Sequence, residues 1–521
     1  MFPGRHAYAN LRARQALLLT LLVCVLASAA AAAITLIDRS DAARQPRGVA
    51  AHGSISAAAP LTVGVGSTSG GPAFADGAVG LSIEAYELAT PDLSAGRGSL
   101  VALMRLLGPG VLRIGGNSLD TSWWTSTNEP PPTWATSVVT PADLVRLDGL
   151  LLATHWRVIL GVDLGHLDPT RAADEAGFAT RILGSGLLAF EVGNEPDLYM
   201  YPTSAAALRP ATYNPEGYLQ ELAEYAAAMR TQAPALVLYG PDVSQPAWLP
   251  TIAVYNEMSF DVITEHFYPT TYSVASSACV ATPVPSAADL ISRRVRGQES
   301  AQLRVLIAVG KFAHRETRMS ETNDTGSCDA DGGPATSPVF ASALWALDWA
   351  LRSASFGVTG INFHGYLGRC GASTFAPVCA ATLRDEFRGD VSARPEYYGL
   401  LAARQLEGGH FIGVKIRGAT NLHDVTAYAT LHNNGTITVA VENFSTTAAV
   451  AVALKVPGYT RAAEETLTAP SIHATHNVTF GGSAVTATGR WRPRPVPILT
   501  LNGRFRLRIA PASAWVVTLQ R

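Results

Sequence analysis

Two glutamates are the side chains whose type and setting point most directly to chemistry. Glu195 lies in Glu191-Val192-Gly193-Asn194-Glu195-Pro196-Asp197, directly after the apolar run at 187–190. Such a run reads as a buried strand, and Pro196 biases its predecessor toward extended geometry while removing a backbone donor. An acid is thereby put where a strand ends and a turn begins, beside Asn194, which offers both a donor and an acceptor. Glu321 has a comparable setting in Arg318-Met319-Ser320-Glu321-Thr322-Asn323, 126 residues later. Two carboxyl groups converging on one bond suit glycoside hydrolysis, in which one protonates the leaving oxygen and the other attacks the anomeric carbon. Glu191 is a rival acid, four residues before Glu195 on the same strand face and so deeper in the fold. Arg113 occupies a similar depth on its own strand, and the two are expected to form a buried structural ion pair.

Positioning these acids requires a frame of strands. Apolar runs recur at 79–85, 111–115, 157–164, 187–193, 236–240, 261–267, roughly 317–321, and 358–364. Helical patterns at 141–154, 215–232 and 339–355 separate several of them. Alternating strand and helix favours a parallel sheet, and eight such units fit an α/β fold of the (β/α)8 TIM-barrel type. Glu195 and Glu321 then end the fourth and seventh strands, three units of about 42 residues apart, facing each other across the barrel mouth. The rival, a doubly wound open sheet, usually carries a glycine-rich loop after its first strand. Here that position reads Ser82-Ile83-Glu84-Ala85-Tyr86. Other residues predicted at the mouth are Glu84 after strand one, and Asn117 and Asp120 after strand two. Trp123 and Trp124 follow, open to sugar stacking or plain loop packing. His266 and Tyr268 follow strand six, and His364, Gly365 and Tyr366 follow strand eight.

Past residue 404 the texture becomes all-β. Segments 425–431, 437–443, 448–456 and 506–519 alternate or are β-branched, and Asn433-Asn434-Gly435 is a hairpin signal. The predicted organisation is a signal peptide or membrane anchor at 1–37, a linker at 38–59, the catalytic barrel at 60–403, and a C-terminal β-sandwich at 404–521. Residues 60–75 are open to joining the sandwich as a strand. Arg5, Arg12 and Arg14 precede an uncharged stretch at 16–37, and Ala27-Ser28-Ala29 fits a cleavage site. The alanine-rich second half favours a cleaved signal over an uncleaved anchor. Either way the body is expected to be exported, secreted or anchored with its barrel outside.

Cysteine usage agrees with export. Besides Cys24, the chain has Cys279, Cys328, Cys370 and Cys379, which suggest two disulfides with three connectivities open. Cys370 with Cys379 makes the shortest staple, and Cys279 with Cys328 would follow. Net charge is −2 with 15% charged residues, which speaks against a nucleic-acid partner. The arginines at 293, 294 and 296, and at 504, 506 and 508, read as solvated faces rather than an anion-binding patch. Asn323, Asn434, Asn443 and Asn477 head N-x-S/T sequons.

The ordered stretches at 80–84, 112–118, 190–197, 319–323, 361–365 and 395–400 resemble glycoside hydrolase family 79. That is the β-glucuronidase and heparanase family of the retaining barrel-glycosidase clan. The resemblance implies Glu195 as acid/base, Glu321 as nucleophile, and Asn194 on the sugar 2-hydroxyl. It further implies Tyr268 as a donor to the nucleophile, and Gly365 and Tyr366 as a neutral clamp for a substrate carboxylate. The expected activity is an exo-β-glucuronidase releasing glucuronic acid, or its 4-O-methyl form, by double displacement. The expected partner is a carbohydrate ending in a β-linked uronic acid. An acid/nucleophile pair calls for no cofactor or metal. An endo-acting enzyme on heparan-type chains is a second reading, although only three lysines occur where a polyanion would favour a basic cleft. A catalytically inactive carbohydrate-binding protein is a third.

Overall fold

The computed structural model describes residues 60–521 other than 202–206, 256–259, 275–280, 327–331, 372–373, 419–423 and 502–503. The proposed signal or anchor, the linker, Cys24, Cys279 and Cys328 therefore lie outside the described residues. Eight parallel strands close into a barrel: β1 Val79–Glu84, β2 Val111–Gly115, β3 Arg157–Val162, β4 Leu187–Val192, β5 Leu238–Val243, β6 Val262–Phe267, β7 Glu316–Thr322 and β8 Gly360–Gly365. Closure comes from β8 pairing with both β7 and β1. All eight coincide with the predicted runs. The fifth starts later and runs through Asp242, whose polarity hides the strand's end from a reading of apolar residues.

A principal helix follows each strand on the outside: α1 Leu100–Leu107, α2 Pro141–Thr154, α3 Pro169–Leu183, α4 Pro215–Gln232, α5 Leu249–Tyr255, α6 Arg293–Ala313, α7 Phe340–Phe356 and α8 Pro395–Ala403, with shorter helices at Ala287–Leu290 before α6 and Leu383–Arg388 before α8. The N-termini of α2, α3 and α4 are fixed by proline at the first position after a capping side chain. Thr140 forms a capping box with Asp143, Asp168 accepts from the Arg171 N–H, and Asn214 from the Gly217 N–H. These start signals explain why α2 and α4 begin where predicted.

The C-terminal region forms one sheet from β9 Gly409–Arg417, β10 Val425–His432, β11 Ile437–Asn443, β12 Val450–Lys455, β13 Arg461–Thr468, β14 Arg504–Ile509 and β15 Ser513–Gln520. The leading strand Leu61–Phe74 enters it, antiparallel to β9 and parallel to β12. The segment expected as one strand at 506–519 is two strands, β14 and β15. Pro511 has no N–H, and Ala512 adopts a left-handed backbone (φ +43°). Val63, Val439, Leu454, Phe505 and Val517 share one apolar core, so two arms of the sheet face each other. The opposite face, through Ala440, Leu467, Ala514 and Val516, joins the barrel's core beside α7 and α8.

One surface expectation needs correction. Arg296 is buried, with its guanidinium 4.2 Å above the Phe444 ring, and so is not a solvated residue. Its apolar stem and delocalised charge suit an aromatic contact at the barrel–sheet junction. The sequon residues Asn323 and Asn443 are fully buried, and their amides donate to backbone carbonyls.

Candidate active site

Both acids stand at the C-terminal end of the barrel, where βα loops build sites. Glu321 belongs to β7, and Glu195 follows β4 by three residues. Gly193 makes the first bend at φ +83°, where a Cβ would lie 2.9 Å from Leu164 Cδ2. Glu195 is itself left-handed (φ +48°), not extended as Pro196 led us to expect. Its N–H donates to the Asp242 carbonyl at 2.9 Å, and its carbonyl accepts from the Leu198 N–H at 2.8 Å. Those two bonds overrule the local preference. Such backbone strain concentrates at functional sites where neighbours over-determine it.

One carboxylate oxygen of Glu195, one of Glu321 and a ring nitrogen of His266 lie within 4.8 Å of one another. That is closer than the roughly 6.5–9.5 Å of an inverting pair and suits the roughly 5–5.5 Å of a retaining one.

Glu321 is surrounded by donors. Tyr268 Oη donates to Oε1 at 2.8 Å, as expected from the resemblance. Arg113 Nη1 donates to Oε2 at 2.5 Å, and His364 Nδ1 lies 3.7 Å from the same oxygen. Burial favours the neutral acid, but His364, His266, Arg113 and the Tyr268 hydroxyl together hold it well below the usual carboxylate range. Glu321 is thus an ionised, water-shielded carboxylate.

Arg113 is the hub. Its Nε donates to Glu191 Oε2 at 2.7 Å with both side chains fully buried, which is the anticipated ion pair. The same guanidinium also reaches Glu321, and its Nη2 donates to Asn194 Oδ1 at 2.9 Å. A scaffold reading of the pair is therefore incomplete, because one planar cation orients Glu321 and Asn194, the residue beside Glu195, together.

His266 Nδ1 lies 2.9 Å from Glu195 Oε1, and Nε2 lies 3.5 Å from Asp242 Oδ1. Burial opposes a charged imidazole, but Glu321, Asp242 and Glu195 outweigh it and raise its pKa to about 10. Ser320, next to Glu321, donates to Asp242. Asp242 thereby holds Glu195 twice, through its carbonyl and through His266. The sequence reading missed this residue, and a polar side chain at the end of a barrel strand was the available signal.

The other predicted mouth residues divide. Glu84 is buried, accepts from Ser118 N–H at 2.7 Å and Ser118 Oγ at 2.5 Å, and stands 3.4 Å from His364 Nε2, so it supports that histidine. Asn117 is exposed at the rim, and its Oδ1 accepts from Asn194 Nδ2 at 3.3 Å. Asp120 is turned aside, since its Oδ1 accepts from Tyr199 Oη at 2.7 Å and from Gly165 N–H at 3.2 Å. Trp124 is buried, with Nε1 donating to Asp174 at 2.8 Å, and Trp123 carries the Arg171 guanidinium 3.5 Å over its ring. The tryptophan pair is loop packing. Gly365 ends β8, and the Tyr366 ring lies 5.6 Å from that of His364. Cys370 and Cys379 are bridged as expected.

Among the described residues, Glu195, His266 and Glu321 are the one trio of metal-ligand type brought together. A metal requires a neutral imidazole lone pair, and the acids around His266 favour its protonated form, so a proton competes with any metal for that nitrogen. The trio fits proton chemistry better.

No family profile and no curated protein matches this chain. Solved structures share its fold. A 4-O-α-L-rhamnosyl-β-D-glucuronidase from Fusarium oxysporum superposes with a TM-score of 0.68 at 17% identity, covering 88% of this chain and 100% of its own. An α-L-arabinofuranosidase from Thermotoga maritima gives 0.61 at 15% identity, covering 88% and 99%. A family 44 xyloglucanase from Paenibacillus polymyxa gives 0.57 at 11%, again over 88% and 99%. No helix among the described residues is long and apolar enough to cross a membrane.

Proposed function

We propose that this protein is a retaining glycoside hydrolase of the family 79 type, acting on a terminal β-linked uronic acid. The observation that carries the reading is the close approach of Glu195 and Glu321 oxygens, within 4.8 Å, at the ends of β4 and β7. In the first step Glu321 attacks the anomeric carbon while Glu195 protonates the departing glycosidic oxygen, so the C–O bond to the aglycone breaks as the glycosyl ester forms. In the second, Glu195 takes a proton from water, the water oxygen bonds to the anomeric carbon, and Glu321 leaves as carboxylate. Asn194, held by Arg113, is set to contact the 2-hydroxyl, where a hydrogen bond strengthens at the transition state. Tyr268 and Arg113 keep the leaving carboxylate solvated by protein in place of water.

The uronic acid rests on the resemblance at strand eight, where Gly365 and Tyr366 would grip a carboxylate with neutral donors, and on the glucuronidase among the similar folds. Export rests on the apolar segment at 16–37 behind basic residues. A panel of aryl β-glycosides tests the substrate. Release from the β-glucuronide, with little from the galactoside, xyloside or arabinofuranoside, is expected. Turnover of a neutral glycoside alone would overturn the uronic acid while leaving the hydrolase. Size-exclusion of digested heparan sulfate distinguishes chain shortening from terminal release.

A further inference from the structure

The loop after β8 brings an aromatic ring to the nucleophile by a route the barrel itself does not supply. Cys370 and Cys379 are bridged, with a Cα–Cα distance of 5.4 Å. The limb returning to Cys379 is pinned along its length. Val378–Cys379 pairs antiparallel with Ser392–Ala393, the Cys370 N–H donates to the Ala380 carbonyl at 2.9 Å, and the Arg394 N–H donates to the Pro377 carbonyl at 2.9 Å. At the end of β8, a Cβ on Gly365 would stand 2.9 Å from Ala376 Cα, so the limb lies directly on the strand.

This limb carries Phe375, which is buried. Its ring centroid is 5.7 Å from Tyr268, 5.7 Å from His364 and 5.8 Å from Tyr366. Two of those three face Glu321 directly, Tyr268 through its 2.8 Å hydrogen bond and His364 at 3.7 Å. Tyr268 and His364 come from opposite sides of β7, just after β6 and on β8, and Phe375 packs against both. Packed aromatic rings hold one another in fixed rotamers. A staple closing so short a loop limits the conformations its limb can sample.

We propose that Phe375 is a positioning residue for the hydrolysis and that the Cys370–Cys379 bridge is what keeps it in place. The ring fixes the Tyr268 hydroxyl and the His364 imidazole against Glu321, so the bridged loop is the fully active form. The proposal rests on Glu321 being the nucleophile.

Phe375→Ala, Phe375→Leu, the double variant Cys370→Ser/Cys379→Ser, and their Phe375→Ala triple combination test it on the aryl glycoside that wild type cleaves best. Phe375→Ala is expected to lower kcat about tenfold with KM changed less than about twofold, and Phe375→Leu to recover part of the loss. The double cysteine variant should lose a similar factor. The triple variant should be no worse than Phe375→Ala alone, because both changes act through one ring. Losses that multiply in the triple variant, or a cysteine variant with full kcat, would overturn the proposal. A wild type that cleaves no aryl glycoside counts against the hydrolase reading instead. In that event a thermal-melting cycle over the same four variants still decides whether ring and bridge act as one unit, with additive shifts overturning it.

Discussion

Two buried clusters of acids and arginines can be set side by side in this molecule. One lies in the barrel mouth, with Glu321, Glu191 and Asp242 around Arg113 and His266. The other lies between the barrel helices α6 and α7 and the sheet. There Arg352 pairs with Asp348 at 2.5 Å and with Glu299 at 3.4 Å, Tyr428 Oη donates to Asp348 at 2.7 Å, and Trp345 Nε1 donates to Glu299 at 2.9 Å. Residue types are much the same, yet Glu321 behaves oppositely to the seam acids, whereas Glu191, deeper in the mouth, is raised by burial to about 8 as Glu299 is. Burial wins in the second cluster, raising Glu299 to about 8 and pushing Glu442 well up, because Arg352 is spent mainly on Asp348. In the mouth, two histidines and an arginine converge on one carboxylate and burial loses. A barrel delivers side chains from several strands to one point, whereas a helix–sheet seam delivers them to a line. Convergence is what keeps a buried acid ionised and nucleophilic.

The largest expected contrast comes from neutralising one acid in each cluster. Glu321→Gln should lower kcat on an aryl glycoside by on the order of 10⁴-fold, since covalent catalysis is removed. Glu299→Gln should leave kcat within about twofold, because no substrate atom depends on it. Comparable losses from both would erase the distinction. Next in size is the pair of arginines. Arg113→Lys replaces a planar fork that serves Glu191, Glu321 and Asn194 with a point charge that cannot serve all three, and is expected to cost about a hundredfold in kcat/KM. Arg352→Lys should lower only the melting temperature. An Arg352→Lys variant with impaired turnover and an unchanged melt would show that the seam communicates with the mouth.

How much of this was readable in sequence follows from the same contrast. The eight strands, the helices α2 and α4, and both catalytic candidates announce themselves locally, through apolar runs, Pro-led caps and acids at strand ends. The Arg113–Glu191 pair was reachable because both depths could be counted along their strands. What escaped depends on barrel closure. Nothing near Arg113 says that β2 looks across to Glu321 on β7. Nothing near Asp242 says that it backs His266 and holds the Glu195 backbone. Glu195 was expected extended, and only the Asp242 carbonyl, brought in from β5, explains its left-handed backbone. Asp120 shows the converse, since its position in the chain suits the mouth while Tyr199 and Gly165 draw it aside.

Acidity separates the clusters further. His266 gains partners on folding, and its pKa rises from 6.5 to about 10. A group raised in this way contributes stability that is fully present below its unfolded pKa and lost as pH rises through its folded one. The difference in melting temperature between wild type and His266→Gln should therefore be widest below about pH 6.5 and close toward about pH 10. A difference that stays constant across that window would mean the imidazole is held neutral, and the convergence of acids on it would have no electrostatic consequence.

Glu442 should give the smallest effect and the opposite sign. It is fully buried where β11 meets the barrel, and burial raises its pKa well above 4.5. A carboxyl so raised binds its proton more tightly folded than unfolded, so the folded state loses stability as pH climbs above the unfolded value. Glutamine keeps the shape of the neutral acid and has no proton to lose. Glu442→Gln is accordingly expected to match wild type near pH 4 and to exceed it near pH 7, read from urea unfolding midpoints. Nearby Arg352 and Arg296 work against the gain, and this keeps it small. A variant less stable than wild type at neutral pH would mean those arginines hold Glu442 as an anion. The seam would then keep a buried acid ionised as the mouth does, and convergence of strands could no longer be the reason that Glu321 stays charged.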